Sequence, residues 1–321
     1  MTAVVSPVPL SFGQYRARIV VVALIVVLVL GLLWVFAPNF FKINNLINIL
    51  VQAATLAEMA VGMSVVMIGG GIDLSLPFNA AVSAVLGAMY MRATGDVIVG
   101  SLIMVAAATA IGLFNGAAVG YLGMIPFVVT LAMMSITAGS AVWLTNSISI
   151  SHLPAEFISF FRMRPAGLPI PVILGALVCA IAAFLMSRSV FARQLYAVGS
   201  NARAATIARI PTTRVIVISY VVAGISAGLT AIMLTGRLAS ASANLASPST
   251  VLDVVSACVV GGVSIYGGAG KVWGAALGAV FITLLSNALN AAEVSLYVSQ
   301  MIRGAIIIAF VAFDRFSMKG G

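Results

Sequence analysis

Residues 187–214 read SRSVFARQLYAVGSNARAATIARIPTTR, with long apolar runs on either side. This stretch carries Arg188, Arg193, Arg203, Arg209 and Arg214 and no acidic residue. A basic, partly amphipathic segment in such a setting does not suit a soluble core. It is expected to be a loop on the cytoplasmic face of a membrane protein, and a place where something docks.

Composition supports that reading. The 321 residues are 62% hydrophobic and only 7% charged, with a mean hydropathy of +1.20. Soluble domains average about 25% charged residues, and a soluble fold of this length could not cover its surface with so few. A bilayer is the natural solvent for such a chain, and its 30 glycines suit closely packed membrane helices. The formal charge of +9 does not point to nucleic acid, because the basic residues fall mostly between apolar runs. Cys179 and Cys258 lie within apolar runs and are expected as packing residues. His152 has no Cys or His neighbour, so no metal site is expected.

Working outward, apolar runs place spans at 19–37, 46–68, 74–91, 97–119, 125–145, 168–187, 214–235, 251–265, 272–289 and 295–313. The expected fold is therefore an all-α polytopic membrane protein of about ten helices, most near the roughly 17–25 residues that a span needs. The runs 251–265 and 272–289 are short, and GGVSIYGGAGK between them suggests broken or tilted helices. Residues 1–18 are expected as a cytoplasmic N-terminal segment, 19–313 as one transmembrane domain with the loop 188–213, and 314–321 as a cytoplasmic tail. With the N-terminus inside, ten basic residues face inward (Arg16, Arg18, Arg188, Arg193, Arg203, Arg209, Arg214, Lys271, Arg315, Lys319). Five face outward (Lys42, Arg92, Arg162, Arg164, Arg237), which agrees with the positive-inside rule. The longest outer connection, 146–167, is read either as an ordinary loop or as one holding a short interfacial helix. Residues 65–88 also echo 257–279, with Gly70 and Gly71 opposite Gly261 and Gly262; a true repeat and shared Gly/Ala composition both account for this.

A few polar residues interrupt the runs. Three glycines precede Ile72-Asp73-Leu74-Ser75-Leu76-Pro77-Phe78-Asn79, where Asp73 and Ser75 suit a helix cap and Pro77 an early helical position. The same break suits a gate or pathway element. Glu58 sits inside an apolar run, where charge is costly, so it is either a lining residue or paired across the bundle. Arg303 needs a partner or a water-filled cleft, and Asp253 is expected near the outer start of its helix. Asn115, Thr130, Asn146, Asn287 and Asn290 either touch a neutral polar solute or join helices by hydrogen bonds. The candidate pathway or gate set is Glu58, Asp73, Ser75, Phe78, Asn79, Asn115 and Thr130. GGAGK at 267–271 lacks the spacing of a phosphate-binding loop, so no catalytic or nucleotide-binding residue is expected on this chain.

Four stretches together resemble the monosaccharide-type, ribose-permease-like family of bacterial ABC importer permeases. They are GGGIDLS at 69–75, GLFNG at 112–116 with PFVVTLAMM at 126–134, YAVGSNARAATIARIP at 196–211, and LDVVSACVVGGVSIYGGAGKVWGAALGA at 252–279. The resemblance runs from about residue 40 to the end. It implies a type II-like permease fold in the bacterial inner membrane, paired with a second permease copy or a paralogue. It further implies a cytoplasmic ABC ATPase that carries ATP and Mg²⁺, and a periplasmic or lipoprotein sugar-binding protein. No cofactor is expected on this chain itself. The family's ATPase-coupling loop falls on 196–211, giving Tyr196, Gly199, Asn201, Arg203, Ala204, Ala205 and Arg209 as coupling candidates. Three departures stand out: Ser200-Asn201-Ala202-Arg203 where the family has Gly-Asn and then acidic residues, Arg209 where it commonly has glycine, and Leu76-Pro77-Phe78 where it tends to have Val-Gly-Ser. The expected solute is a monosaccharide or sugar-like polyol. The alternatives are a branched-chain amino acid or nucleoside permease and an ion-coupled secondary transporter.

Overall fold

The computed structural model describes residue 31 and residues 38–319. The expected segment 1–18 and first span 19–37 fall outside the described residues, apart from Gly31. The described chain is helical throughout, and its β structure is confined to one antiparallel pairing of Ile150 with Ala241. In order the helices are α1 (Ile43–Ile68), α2 (Leu76–Thr94), α3 (Val97–Gly120), α4 (Pro126–Thr145), α5 (Ala155–Arg162) and α6 (Ile170–Arg188). Then come α7 (Val190–Ser200), α8 (Ala202–Ile207), α9 (Thr212–Leu238), α10 (Pro248–Val260), α11 (Val272–Ala291) and α12 (Leu296–Lys319).

Among the described residues, seven helical stretches are long and apolar enough to cross a membrane, against the ten expected. Part of the difference has a physical reason. Helix α2 is nearly enclosed by protein from Leu76 to Ala88 and carries Asn79 and Ser83 there. A helix that meets neighbours instead of lipid does not need an apolar surface. Helix α10 has only 13 residues. At 1.5 Å per residue it reaches about 20 Å, short of a 30 Å hydrocarbon core. It counts as a candidate span only together with the short 3₁₀ turn before it. Its helix stops at Val260, not at the expected 265, because Gly261 and Gly262 turn the chain. Helix α12 continues through residues 314–319, where a tail was expected.

Helices α1 and α9 form the centre, and α3, α2, α10 and α11 surround them. The most extensive crossing is α3 on α9, where small residues bring the backbones together. A Cβ on Gly112 would lie 2.4 Å from the Tyr220 carbonyl oxygen, and one on Gly224 would lie 2.6 Å from that of Ala108. Gly112–Gly116 and Gly224–Gly228 thus form two facing small-xxx-small stripes, the arrangement that lets membrane helices gain dispersion energy without a hydrophobic driving force. Helix α6 lies outermost, with little of it buried except Pro171 and Gly175. The connection at 146–167 does hold a short helix, α5. Its Phe157 and Phe161 are buried, and Phe161 fills the space over Gly236 at the end of α9.

Candidate functional site

The basic loop folds into two short helices, α7 and α8. The Ser189 hydroxyl starts α7 by accepting the Ala192 amide at 3.1 Å. The Asn201 side chain starts α8 by accepting the Ala204 amide at 2.9 Å. Such side-chain caps satisfy amides that a helix cannot satisfy itself, so Asn201 and Ala204 act here through local geometry. Ala192, Leu195, Val198 and Ala205 are buried, while Arg203, Ala204 and Arg209 are exposed. Ile207, at 81% exposure, stands beside these arginines on the same short segment. It was not among the residues singled out from the sequence, because one isoleucine in an apolar chain carries no signal.

Gly199 occupies the tightest place. A Cβ there would sit 1.8 Å from the Ile68 carbonyl oxygen and 2.6 Å from the Gly268 amide nitrogen. That amide donates to the same Ile68 oxygen at 2.8 Å. Gly199 therefore lies on the hydrogen bond that joins the end of α1 to the loop between α10 and α11. Tyr196 makes a second tie, its hydroxyl donating to the Gly270 carbonyl at 2.6 Å. Burial pushes the Tyr196 phenol above its usual range and keeps it in the donating form.

The two helix breaks held by α7 are copies of one turn. Gly70 adopts φ +84° and Gly262 φ +88°. The Gly71 amide donates to Val66 O at 3.0 Å, and the Val263 amide to Cys258 O at 2.9 Å. Gly70 N donates to Met67 O, and Gly262 N to Val259 O. This is the Schellman ending, which needs a left-handed residue and so favours glycine. The turn pairs Gly69 and Gly70 with Gly261 and Gly262, one residue out of the register that the sequence alignment suggested.

Arg209 has φ +60°. The position where the resembling family commonly has glycine is thus left-handed, a conformation that costs a residue with a Cβ roughly 1–2 kcal/mol. Glycine would relieve this but adds chain entropy to the unfolded state. Arg209→Gly is expected to raise stability by about 0.5–1 kcal/mol, seen as a higher midpoint in thermal melts of the purified chain.

Five of the seven pathway candidates lie around one buried polar cluster, in which Asp73 Oδ2 and Asn115 Oδ1 have no protein partner. Asp73 Oδ1 accepts the Ser75 amide at 3.0 Å and the Ser75 hydroxyl at 2.6 Å. Asn115 Nδ2 donates to Ser75 Oγ at 2.9 Å, tying α3 to the break. The Thr130 hydroxyl donates to Pro126 O and, more weakly, to Ile72 O, and Asn79 Nδ2 donates to Ala108 O. All five side chains are fully buried. Phe78 instead packs with Ala81, Ala246 and Val251. Glu58 lies apart, between α1 and α9, accepting from the Thr230 hydroxyl at 3.4 Å while Ser226 donates to its backbone oxygen.

A cavity of about 330 Å³ opens elsewhere, and none of those seven residues lines it. Its walls carry Gln52, Thr55, Arg237, Thr250, Asp253, Thr283, Ser286, Asn290 and Arg303 among others. Arg303 finds the partner that its position demanded: its Nη1 lies 3.0 Å from both oxygens of Asp253. Asp253 is the sixth residue of α10, one turn further in than the helix start expected for it. The cavity lies at the opposite end of the bundle from α7. Along α11 alone, Val272 beside the loop and Ser286 on the wall are separated by roughly 20 Å of helix.

Comparison with known proteins agrees with this architecture. The family described as branched-chain amino acid transport system / permease component matches residues 45–311. The ribose import permease protein RbsC of Escherichia coli K12 is 35% identical over 301 residues, covering 91% of this chain and 92% of its own. The D-allose transport system permease protein AlsC of the same strain is 30% identical, covering 92% and 91%. The L-arabinose ABC transporter permease protein AraH of Azospirillum brasilense is 30% identical, covering 94% and 88%. No solved structure gives a significant match. The matched region takes in both glycine breaks, the loop clamped between them and the polar cavity beyond, and the chain belongs to the branched-chain amino acid transport system / permease component family.

Proposed function

We propose that this chain is the membrane-pathway subunit of an ATP-driven importer for a monosaccharide or sugar-like polyol. The observation that carries this is its similarity, over nine-tenths of its length, to permeases named for three different aldoses. The described cavity supports it, since hydroxyl, amide and paired charged groups line most of its wall. Leu56, Met59, Leu234 and Leu245 also line it, a smaller share than the side chain of a branched-chain amino acid, the solute in the family's description, would want.

In this reading ten helices cross the inner membrane, with 19–37, α2 and α12 added to the seven apolar stretches, and both termini lie in the cytoplasm. Two permease chains pair, a binding protein delivers solute to the cavity end, and a separate ATPase with ATP and Mg²⁺ docks on α7 and α8. Tyr196 and Gly199 transmit its movement to both helix breaks, while Arg203, Ile207 and Arg209 form the docking tip. The Asp73–Ser75–Asn115 cluster holds the first break rigid. Rebuilding the permease with its ATPase and binding protein in liposomes tests the assignment. ATP-dependent uptake of D-ribose, D-allose or L-arabinose is expected, and uptake of leucine alone would overturn it. Uptake that ignores ATP and collapses with the proton gradient would do the same.

The dock makes its own prediction. Arg203→Glu reverses an exposed charge on α8 without touching a buried contact. ATPase recovered with the tagged permease is expected to fall at least fivefold while the amount of membrane-inserted permease is unchanged. Wild-type recovery of the ATPase would exclude this surface as the dock.

A further inference from the structure

The wall of the outer cavity has a chemical pattern that goes beyond being polar. The hydroxyls of Thr55 and Ser286 donate to the carbonyl oxygens one turn back, Val51 at 3.1 Å and Ile282 at 2.8 Å. Their protons are used, so each presents oxygen lone pairs to the cavity as an acceptor. Asp253 is acceptor-only. Donors are supplied by the guanidinium groups of Arg303 and Arg237 and by the amides of Gln52 and Asn290. Arg303 Nε is buried and has no protein partner. The Arg303 and Asp253 side chains are 14% and 20% exposed, so the pair is held at the wall and not sealed beneath it.

We propose that this cavity is a holding site for a neutral polyhydroxylated solute. Asp253 accepts from adjacent hydroxyls, Arg303 fixes that carboxylate, and Thr55 and Ser286 accept from further hydroxyls. The inference rests on the proposed function and adds the site and its residues. Each hydroxyl of an aldose or polyol is at once donor and acceptor, so it suits a wall that offers both. A carboxylate solute is disfavoured, because Asp253 sets a negative charge at the wall and already takes the hydrogen bonds of Arg303 Nη1. A volume of about 330 Å³ falls at the small end of ligand sites and has room for on the order of ten waters. The cavity is lined by five helices of this one chain, α1, α9, α10, α11 and α12. A paired importer therefore holds two such sites, one within each copy. Solute leaving its binding protein would pause there, about 20 Å of helix away from the clamp at Gly199.

Thr55 gives the cleanest test. In liposomes containing permease, ATPase and binding protein, uptake of D-ribose, D-allose and L-arabinose is measured for wild type, Thr55→Val and Thr55→Ser, alongside ATP hydrolysis without solute. Valine keeps the shape and removes the acceptor, whereas serine keeps it. Thr55→Val is expected to lower uptake about tenfold with hydrolysis unchanged, and Thr55→Ser to restore most of it. Wild-type uptake by Thr55→Val, or an equal loss in Thr55→Ser, would overturn the holding site and leave the proposed function standing. A wild-type complex that imports none of the three sugars would overturn both.

Discussion

Gly199→Ala is expected to abolish transport while leaving the chain inserted in the membrane. The added Cβ would meet backbone atoms, 1.8 Å from Ile68 O and 2.6 Å from Gly268 N, so no side chain can rotate away to admit it. Either α7 lifts off or the Gly268–Ile68 hydrogen bond opens. Overpacking costs typically 1–3 kcal/mol, and loss of a buried hydrogen bond that leaves its groups unpaired adds roughly 1–3 kcal/mol. A destabilisation of about 4 kcal/mol, near 10 °C in a thermal melt, follows. The functional loss is expected to exceed the stability loss, because the contact displaced is the one through which α7 grips both helix breaks. ATP hydrolysis that continues without solute movement is the sign to seek. Gly139 on α4 faces open space, so Gly139→Ala serves as the control and should change neither quantity. Wild-type uptake by Gly199→Ala would show that the clamp does not transmit force.

Much of this arrangement was legible in the sequence, and the reasons separate cleanly. Helix order followed from apolar runs, which depend on the solvent and not on the partner helix. The loop at 188–213 followed from charge. The break at Gly69–Gly71 followed from glycine, whereas the span read over 251–265 ran through the one at Gly261–Gly262, and their common Schellman turn stayed hidden because a one-residue register shift is invisible among so many small residues. The polar candidates fared differently. Asp73, Ser75, Asn79, Asn115 and Thr130 do lie together, yet they bond to one another and to backbone carbonyls inside the bundle and not to the cavity. The cavity instead uses Gln52, Thr55, Thr283 and Ser286, whose one-turn spacing on α1 and α11 does not distinguish a lining residue from a helix contact. Asn290 and Arg303, both singled out from the sequence, do line it. A cation deep in an apolar helix demands a partner on energetic grounds alone, and Asp253 on α10 meets that demand. Only packing could reveal that the pair also forms part of a wall.

That double role is what a mutant cycle on the pair would resolve. Asp253→Ala leaves the Arg303 guanidinium, 14% exposed, without its counterion. Breaking a buried pair from one side typically costs about 3–5 kcal/mol. Cavity water reduces this, so about 2–3 kcal/mol is expected, and Arg303→Met should cost a similar amount by stranding the carboxylate. The double variant Asp253→Ala/Arg303→Met removes both charges and should return most of the stability, since replacing a whole ion pair by apolar groups is often neutral. Uptake should behave otherwise. If the pair served only to join α10 to α12, transport would recover with stability in the double variant. If it also holds solute hydroxyls, the double variant would melt near wild type and still import at least tenfold more slowly. Thermal melts and sugar uptake on the same four proteins separate the two outcomes, and recovery of both quantities together would reduce Asp253 and Arg303 to a structural tie.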